Sequence, residues 1–252
     1  MDLEQTEDFE AFAKRVTPLQ GRQFADFTEW ERDTYRKAHQ NLHASPEAVI
    51  SLARAVEHIV SHDVPGALIE CGVYMGGNIE VMIRTLNRHR VNTRDIYLYD
   101  TFAGMPEPQA IDDEGLPGQP LRATWERFRT VEDGAVGSAW MRASPEVVKA
   151  RIKDLGYPWH RLHFVKGMVE DTIPDQAPDR IALLRLDTDF YSSTRHELMQ
   201  LYPRLSSKGI LIIDDYGAMP GSRKATDEYL MASGLPLFLN RVDAHVRLLI
   251  KP

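Results

Sequence analysis

Apolar residues along the chain fall into short uninterrupted runs, which alternate with longer stretches where they recur every three or four positions. Short runs bounded by Gly, Pro or charged residues are typical of buried β-strands, and the recurring stretches are typical of amphipathic helices. The predicted strands occupy residues 67–71, 95–99, 162–165, 181–186 and 209–213. Two closely spaced apolar segments, 237–242 and 246–250, predict a terminal hairpin.

Helical stretches separate most of these strands. Ser45 and Pro46 predict the start of the first clear helix, because serine is a preferred N-cap residue and proline is favoured at the first helical position. Further helices are predicted at 78–86, from 144 to near 156, after residue 190, and from an N-cap at Ser222 to residue 232. Strands that alternate with helices in this way predict a mostly parallel sheet.

Two pairs of acidic residues follow neighbouring strands of this predicted sheet. Asp187 and Asp189 come after the fourth strand, and Asp214 and Asp215 come after the fifth. The 27 residues from Asp187 to Asp214 (214 − 187) suit one strand–helix–strand crossover, which brings both acidic ends to the same sheet edge. Crowded carboxylates suit Mg²⁺, with Mn²⁺ or Ca²⁺ as alternatives. The competing interpretation is that these aspartates cap helices and face water.

A glycine turn containing Gly72 and Gly76 follows the first strand, and Asp100 ends the second. This pairing is typical of an adenosine site, because glycine lets a ligand approach the backbone and the acid accepts from ribose hydroxyls. The turn lacks the G-x-G-x-x-G spacing of a pyrophosphate cradle. Glu70 would repel a pyrophosphate but attract a cation, which favours S-adenosylmethionine (SAM) over NAD.

The turn after the third strand contains Gly167 and Met168. In a parallel sheet this turn would lie beside the adenine ring of such a cofactor, although an ordinary core role for Met168 is the alternative. For Asp100 the alternative is a cap of a helix or turn.

Two segments lie outside the alternation of strands and helices described above. Residues 1–44 are predicted to form a helical arm rich in aromatic residues. The arm either packs on the core or on a partner subunit, or it covers the active site. Residues 101–143 carry many Gly and Pro residues and no strand signal, with a short helix at 121–130. A loop of this length predicts a lid over the sheet edge. Residues 45–252, including the lid, are expected to form one domain.

Composition and charge narrow the classes of partner. The 252 residues include 30 Lys and Arg against 37 Asp and Glu, and the net charge of −7 argues against a nucleic-acid partner. The single Cys71 excludes an intrachain disulfide and a thiolate metal cluster. The first residues lack the pattern of a signal peptide, and no apolar run approaches the roughly 20 residues that cross a bilayer. We therefore expect a cytoplasmic protein with no membrane partner, and the aromatic arm leads us to expect a homo-oligomer.

Five motifs carry a resemblance to a known family. The chain contains E-C-G-V-Y-x-G-G, Y-D-T-F-A-G-M-P, L-R-L-D-T-D-x-Y, Y-P-R-L-S-x-x-G and I-I-D-D-Y. Together, over roughly residues 67–230, they resemble the macrocin O-methyltransferase family. The resemblance implies an α/β, Rossmann-like class I SAM-methyltransferase fold, with a seven-stranded mostly parallel sheet, a C-terminal hairpin, N-terminal helices and a lid. It also implies methylation of a sugar hydroxyl on a glycosylated natural product in antibiotic biosynthesis, with the rhamnose of an enediyne antibiotic as a narrower hypothesis.

The resemblance also implies roles for particular residues. Asp187, Asp214 and Asp215 match Mg²⁺-binding acids, and Asp189 matches the proposed general base, so Asp187 and Asp189 are the predicted catalytic residues. The positions that match SAM contacts are Glu70, Gly72, Tyr74, Gly76, Asp100, Thr101, Gly167, Met168 and Asp187. Cys71 and Thr188 differ from many relatives, and neither difference removes a group that the reaction needs.

Other functions fit parts of the same pattern. An enzyme of this fold could methylate a catechol or another phenol, a metal-dependent hydrolase could use the acids to activate water, and a non-catalytic module could bind adenosine. SAM binding separates the hydrolase from the rest, because a hydrolase does not need Glu70, Gly72 or Asp100. Among the nine histidines, His196 is the alternative general base, since it lies in the helical stretch that follows the first acidic pair.

Overall fold

The computed structural model describes residues 26–114, 118, 120–132, 135–234 and 238–252. Residues 1–25 of the predicted arm and residue 237 of the predicted hairpin lie outside these ranges. The strands, in chain order, are β1 (Ala67–Cys71), β2 (Ile96–Asp100), β3 (Arg129–Glu132), β4 (Ala135–Ser138), β5 (Leu162–Lys166), β6 (Ile181–Leu186), β7 (Leu205–Ile213), β8 (Asn240–Arg241) and β9 (Arg247–Ile250).

Seven of these strands form one sheet in the order β5-β2-β1-β6-β7-β9-β8. The pairs among β5, β2, β1, β6 and β7 are all parallel, and β9 runs antiparallel to both β7 and β8. The predicted mostly parallel, seven-stranded sheet with a terminal hairpin is confirmed. Its hairpin strands are shorter than predicted, and β7 begins at Leu205 rather than at Gly209.

Helices connect the parallel strands. The α-helices are α1 (Glu29–Ala38), α2 (Pro46–Ser61), α3 (Gly77–Arg88), α4 (Leu121–Arg127), α5 (Pro145–Ile152), α6 (Val169–Thr172), α7 (Tyr191–Leu201) and α8 (Pro220–Ser233). Short 3₁₀ helices occupy His39–Asn41, Ala110–Asp113, Lys153–Leu155, Trp159–Arg161 and Tyr202–Arg204. Within the described residues, no helix combines the length and apolarity that a membrane crossing needs.

The side chains of the strands build a core on each face of the sheet. Leu68 and Leu183 are buried in one core together with Ile59 of α2. Ile69 and Leu184, the next residue of each strand, are buried in the other core with Leu198 of α7. Because successive residues of a strand point to opposite faces, a sheet covered on both faces requires the uninterrupted apolar runs of this sequence.

The start of α2 confirms the predicted cap, since the hydroxyl of Ser45 accepts from the N–H of Ala48 at 3.0 Å. The described part of the arm packs on the domain, because Trp30 and Tyr35 lie against the first core. Asn41 at the end of the arm belongs to a cavity wall described below. The described residues of the arm thus pack on the core, and the role of the arm as a cover over the active site stays a prediction.

Two sequence predictions about secondary structure were wrong. The lid contains strands β3 and β4, which pair in a hairpin with Val131 opposite Val136. Both valines are more than half exposed, at 59% and 54%, so these two apolar positions do not form the buried face by which a sequence reveals a strand pair. The cap of α8 is Met219, not Ser222, because Pro220 starts the helix and places the buried Ser222 in its first turn.

Candidate functional site

A cavity opens at the edge of the sheet where the parallel strands have their carboxyl ends, the usual ligand position in open α/β sheets. Its wall is formed by the turns after the strands, by the end of the arm, and by lid residues such as Met105 and Trp140. Ten of the predicted site residues meet on this wall: Gly72, Tyr74, Asp100, Thr101, Gly167, Met168, Asp187, Asp189, Asp214 and Asp215.

The other two predicted site residues lie behind the wall. Glu70 is completely buried at the end of β1, and its carboxylate pairs with Arg185. Gly76 precedes α3 with a φ of +81°, and a Cβ built there would come within 2.9 Å of Val148 Cγ1. Gly76 therefore serves the packing of the turn, and the predicted SAM contacts of both residues stay predictions.

Three carboxylates lie together where β6 and β7 end. One oxygen from each of Asp187, Asp214 and Asp215 lies within 4.8 Å of the others. The cause is the parallel pairing of the two strands, in which Leu186 lies opposite Ile213, so that the acids that follow emerge side by side. The predicted meeting of the two acidic strand ends is confirmed, and their service as metal ligands stays a prediction.

Arg185 is the main feature of this site that sequence reasoning missed. It is only 3% exposed and donates to Glu70 Oε1 at 2.9 Å, to Asp187 Oδ2 and to Asp214 Oδ1. Glu70 lies directly opposite Arg185 in the β1–β6 register, which brings the pair together. The available signal was an arginine inside an otherwise apolar strand, since arginine is almost never fully buried without a partner.

Full ionisation of the acids would place more negative charge in this cluster than the buried arginine compensates. Burial raises the pKa of Asp214 and of Asp215 well above their usual range, and Arg185 only partly opposes this shift. Burial also raises the pKa of Asp189 to about 8, with repulsion from Asp187 as the next cause. Burial alone would lower the pKa of Arg185, but the carboxylates of Asp187 and Asp214 raise it, so the guanidinium stays charged.

This donor set fits a hard divalent cation. Arg185 engages one oxygen of Asp187 and one of Asp214, which leaves the second oxygen of each carboxylate available as a metal ligand. Asp215 adds a third carboxylate within reach. Oxygen donors and unrelieved negative charge are what Mg²⁺ prefers.

The glycine turn after β1 is held by Asp100. Its Oδ2 accepts from the N–H groups of Val73 at 2.7 Å and Tyr74 at 3.0 Å, and its Oδ1 accepts from the N–H of Phe102 at 2.6 Å. Burial raises the pKa of Asp100, and these backbone hydrogen bonds oppose the shift. Asp100 therefore caps the turn, as in the alternative interpretation of the sequence, and the expected ribose contact stays a prediction.

Asp189 adopts an unusual backbone conformation beside the acid cluster. Its φ is +65°, a left-handed value that residues with a side chain seldom adopt. Its N–H donates to Asp215 Oδ2 at 3.2 Å. Such strain persists only where the surroundings hold it, and it is frequent at functional sites.

The alternative reactive groups are engaged elsewhere. His196 pairs through Nε2 with the carbonyl oxygen of Ile173 at 2.9 Å and is not among the cavity-lining residues. Burial raises the pKa of the Cys71 thiol well above its usual range, so it stays protonated.

Sequence reasoning also missed Glu197, which is fully buried in α7 and accepts from the hydroxyl of Thr188 at 3.1 Å.

Comparisons with known proteins agree with this geometry. The family model Macrocin-O-methyltransferase (TylF) matches residues 33–248. Demethyldecarbamoylnovobiocin O-methyltransferase of Streptomyces niveus is 31% identical over 179 residues, which are 71% of this chain and 63% of that protein. The 8-demethyl-8-(2,3-dimethoxy-alpha-L-rhamnosyl)-tetracenomycin-C 4'-O-methyltransferase of Streptomyces olivaceus is 33% identical over 193 residues, 77% of this chain and 69% of that protein. The match to the first relative thus spans less than two thirds of that protein's length.

Solved structures share the fold. The O-methyltransferase NovP superposes with a TM-score of 0.71 at 28% identity, covering 84% of this chain and 83% of that chain. A calicheamicin methyltransferase superposes with a TM-score of 0.63 at 20% identity, covering 99% and 93%. The predicted class I methyltransferase fold is confirmed. The second likeness shows the fold alone, so the narrower enediyne hypothesis stays a hypothesis.

Proposed function

The chain belongs to the macrocin O-methyltransferase family, and from this membership we propose that it transfers a methyl group from SAM to a sugar hydroxyl of a glycosylated natural product, with Mg²⁺ at the acid cluster. The name of the tetracenomycin relative, which places methylation at the 4' position of a rhamnosyl compound, supports the acceptor class. The predicted O-methyltransferase class is confirmed at the level of the family, while the acceptor, the cofactor and the metal belong to the proposal.

The observation that carries the proposal is the direct packing of the glycine turn on the acid cluster. Gly72 has a φ of +84°, and a Cβ built there would come within 1.8 Å of the carbonyl oxygen of Asp187. Only glycine lets the turn after β1 approach the end of β6 so closely. A cofactor seated on this turn would present its reactive group beside the acids, and transfer requires reacting atoms about 3 Å apart.

We assign the cofactor side of the cavity to the turns after β1, β2 and β5. Each carboxylate oxygen can accept two hydrogen bonds, so Oδ1 of Asp100, which accepts one from Phe102, retains capacity for a ribose hydroxyl. The remaining proposed SAM contacts on this wall are Gly72, Tyr74, Thr101, Gly167, Met168 and Asp187. Glu70 would support them indirectly, because it holds Arg185. SAM supplies the methyl group from its sulfonium.

The acid cluster would activate the acceptor. Asp187, Asp214 and Asp215 would hold Mg²⁺, which when bound stabilises negative charge that develops on the acceptor oxygen. Asp189 lies beside this cluster, where its N–H donates to Asp215 Oδ2, and it would take the hydroxyl proton. Arg185 would keep Asp187 and Asp214 in position through the bonds described above.

The lid and the arm form the acceptor side of the cavity. Met105, Trp140 and Met141 of the lid and Leu42 of the arm present apolar surface there, next to His43. Such surface suits the carbon face of a deoxysugar. It would also suit an aromatic ring, so a catechol or phenol is the alternative acceptor. Family membership gives no support to the hydrolase or to a non-catalytic adenosine module.

The predictions on organisation remain proposals. We expect one catalytic domain over residues 45–252, with the lid at 101–143 and the arm at 1–44. Because the arm residues Asn41, Leu42 and His43 line the cavity, we expect the end of the arm to contribute to the active site of that domain. A homo-oligomer and a cytoplasmic location are also expected, and light scattering on the purified protein tests the first.

Mass spectrometry of acceptors after incubation with SAM tests the function. The panel contains glycosylated natural products, their aglycones and catechols, each with Mg²⁺, with excess EDTA, and with EDTA followed by Mg²⁺. We expect methylation of glycosides but not aglycones, loss of turnover in EDTA and recovery with Mg²⁺. Unimpaired turnover in excess EDTA would contradict the metal assignment, and methylation of catechols alone would favour the alternative acceptor.

A further inference from the structure

Asp112 is a lid residue whose carboxylate accepts a hydrogen bond from outside the lid as well as one from within it. It lies in the 3₁₀ helix Ala110–Asp113 and is only 2% exposed. Its Oδ2 accepts from the N–H of Gln109 at 2.8 Å, within the lid. Its Oδ1 accepts from the N–H of Tyr191 at 2.8 Å, 79 residues further along the chain. One buried carboxylate therefore joins the lid to the first residue of α7.

Helix α7 depends on an acceptor from outside for this N–H. The first N–H groups of any helix have no partner inside the helix. The N-cap residue of α7 is Phe190, and it makes no side-chain cap hydrogen bond. Asp112 supplies the acceptor and places a negative charge at the positive end of the helix dipole.

The segment before α7 contains the proposed base. Asp189 lies two residues before Tyr191 and has the left-handed φ of +65°. Its own N–H donates to Asp215 at 3.2 Å. The next anchor along the chain that comes from another element is the bond from Tyr191 to Asp112. The segment 187–191 is thus held by the acid cluster on one side and by the lid on the other.

Gly221 in the first turn of α8 leaves the space for this contact. A Cβ built on Gly221 would come within 2.3 Å of Asp112 Oδ1 and 2.8 Å of the backbone nitrogen of Tyr191. Any side chain there would push the carboxylate and the helix apart. The lid, α7 and α8 can therefore pack this closely only because residue 221 is a glycine, although Gly221 takes no part in the hydrogen bond between Asp112 and Tyr191.

The same part of the lid forms the acceptor wall of the cavity. Gly104, Met105 and Pro106 precede the Asp112 turn and line the cavity that contains Asp189. A shift of Asp112 would move this wall and would release the first N–H of α7 at the same time.

We propose that Asp112 is a positioning residue that couples the lid to the segment 187–191, so that one contact places the acceptor wall and Asp189 together. The proposal rests on the proposed function, because that function gives Asp189 its role as the base. Asp112 itself does not touch the reacting atoms.

Asp112→Ala removes both hydrogen bonds, and Asp113→Ala is the matched control. Asp113 is the neighbouring acid, and its Oδ1 accepts from the N–H of Leu121 at 2.6 Å, entirely within the lid. NMR hydrogen exchange at the Tyr191 amide and over 104–112 is measured without ligand, and kcat, acceptor KM and SAM affinity are measured separately. We expect faster exchange at both places in Asp112→Ala, a kcat lower by about 10- to 100-fold from misplacement, and unchanged SAM affinity. Asp113→Ala should keep wild-type kcat and Tyr191 exchange.

Two further variants keep the test decisive if Asp112→Ala fails to fold. Asp112→Asn retains one acceptor oxygen for Tyr191 and should recover part of kcat, while Gly221→Ala should reproduce both effects without altering either partner. A folded Asp112→Ala protein with wild-type kcat, or with wild-type Tyr191 exchange, would overturn the proposal. Failure of the proposed function would show separately, as a wild-type protein that methylates no glycoside or phenol, and exchange would still decide whether Asp112 couples the lid to 187–191.

Discussion

Replacing Arg185 by glutamine tests whether the acids of the site depend on one buried cation. Arg185 is 3% exposed and pairs with the fully buried Glu70 as well as with Asp187 and Asp214. Removal of one partner from a buried ion pair costs about 3–5 kcal/mol, because the other charge stays buried without compensation. For a chain of this size, each kcal/mol lowers Tm by about 2–4 °C, so we expect a fall of about 6–20 °C.

The loss of stability should depend on pH. Burial raises the pKa of Glu70 from its ordinary value of 4.5 to about 8, and Arg185 opposes the shift. An acid whose pKa is raised on folding binds more protons in the folded state, so the free energy of unfolding falls as pH rises between these two values. Without Arg185 this pKa rises further. We therefore expect the deficit of Arg185→Gln to be larger at alkaline pH than at mildly acidic pH, where Glu70 is neutral.

Urea denaturation of Arg185→Gln and wild type across this pH range measures the effect. The double variant Glu70→Gln/Arg185→Gln should recover part of the loss, since a buried charge leaves with its partner. Arg36→Gln is the control, because Arg36 pairs with Asp33 on the surface and such pairs contribute little. A deficit of Arg185→Gln below about 1 kcal/mol, or one equal at every pH, would refute the reasoning from the buried ion pairs.

Two further substitutions test the roles of individual residues. Asp189→Asn should keep SAM and Mg²⁺ affinity in calorimetry while methyl transfer falls by about 100- to 10,000-fold, because the proton acceptor is lost; a wild-type rate would remove Asp189 from the base role. Gly72→Ala should lower both thermal stability and SAM affinity, because the new Cβ meets the carbonyl oxygen of Asp187; wild-type SAM affinity would show that the turn does not hold the cofactor.

Most strands of the sheet could be predicted from the sequence, because their uninterrupted apolar runs correspond to side chains that are buried on both faces of the sheet. Runs of four or more apolar residues appear where a strand is covered on both faces, as at Ile181–Leu186. The cap at Ser45 follows from its own hydroxyl and Pro46. The lid strands β3 and β4 gave no such signal, because Val131 and Val136 remain exposed. Similarly, Pro220 rather than Ser222 determines where α8 begins.

The sequence by itself determined that Asp187 and Asp214 would reach the same edge, since strand direction and crossover length are properties of the local chain. It could not determine the partners of Arg185, Asp100 and Asp112. Each of these side chains satisfies a buried donor or acceptor that another part of the chain brings to it, 115 residues away for Arg185 and Glu70 and 79 for Asp112 and Tyr191. Such pairings exist only after the sheet and lid have packed, because the cost of burying an unpaired charge or N–H arises only then.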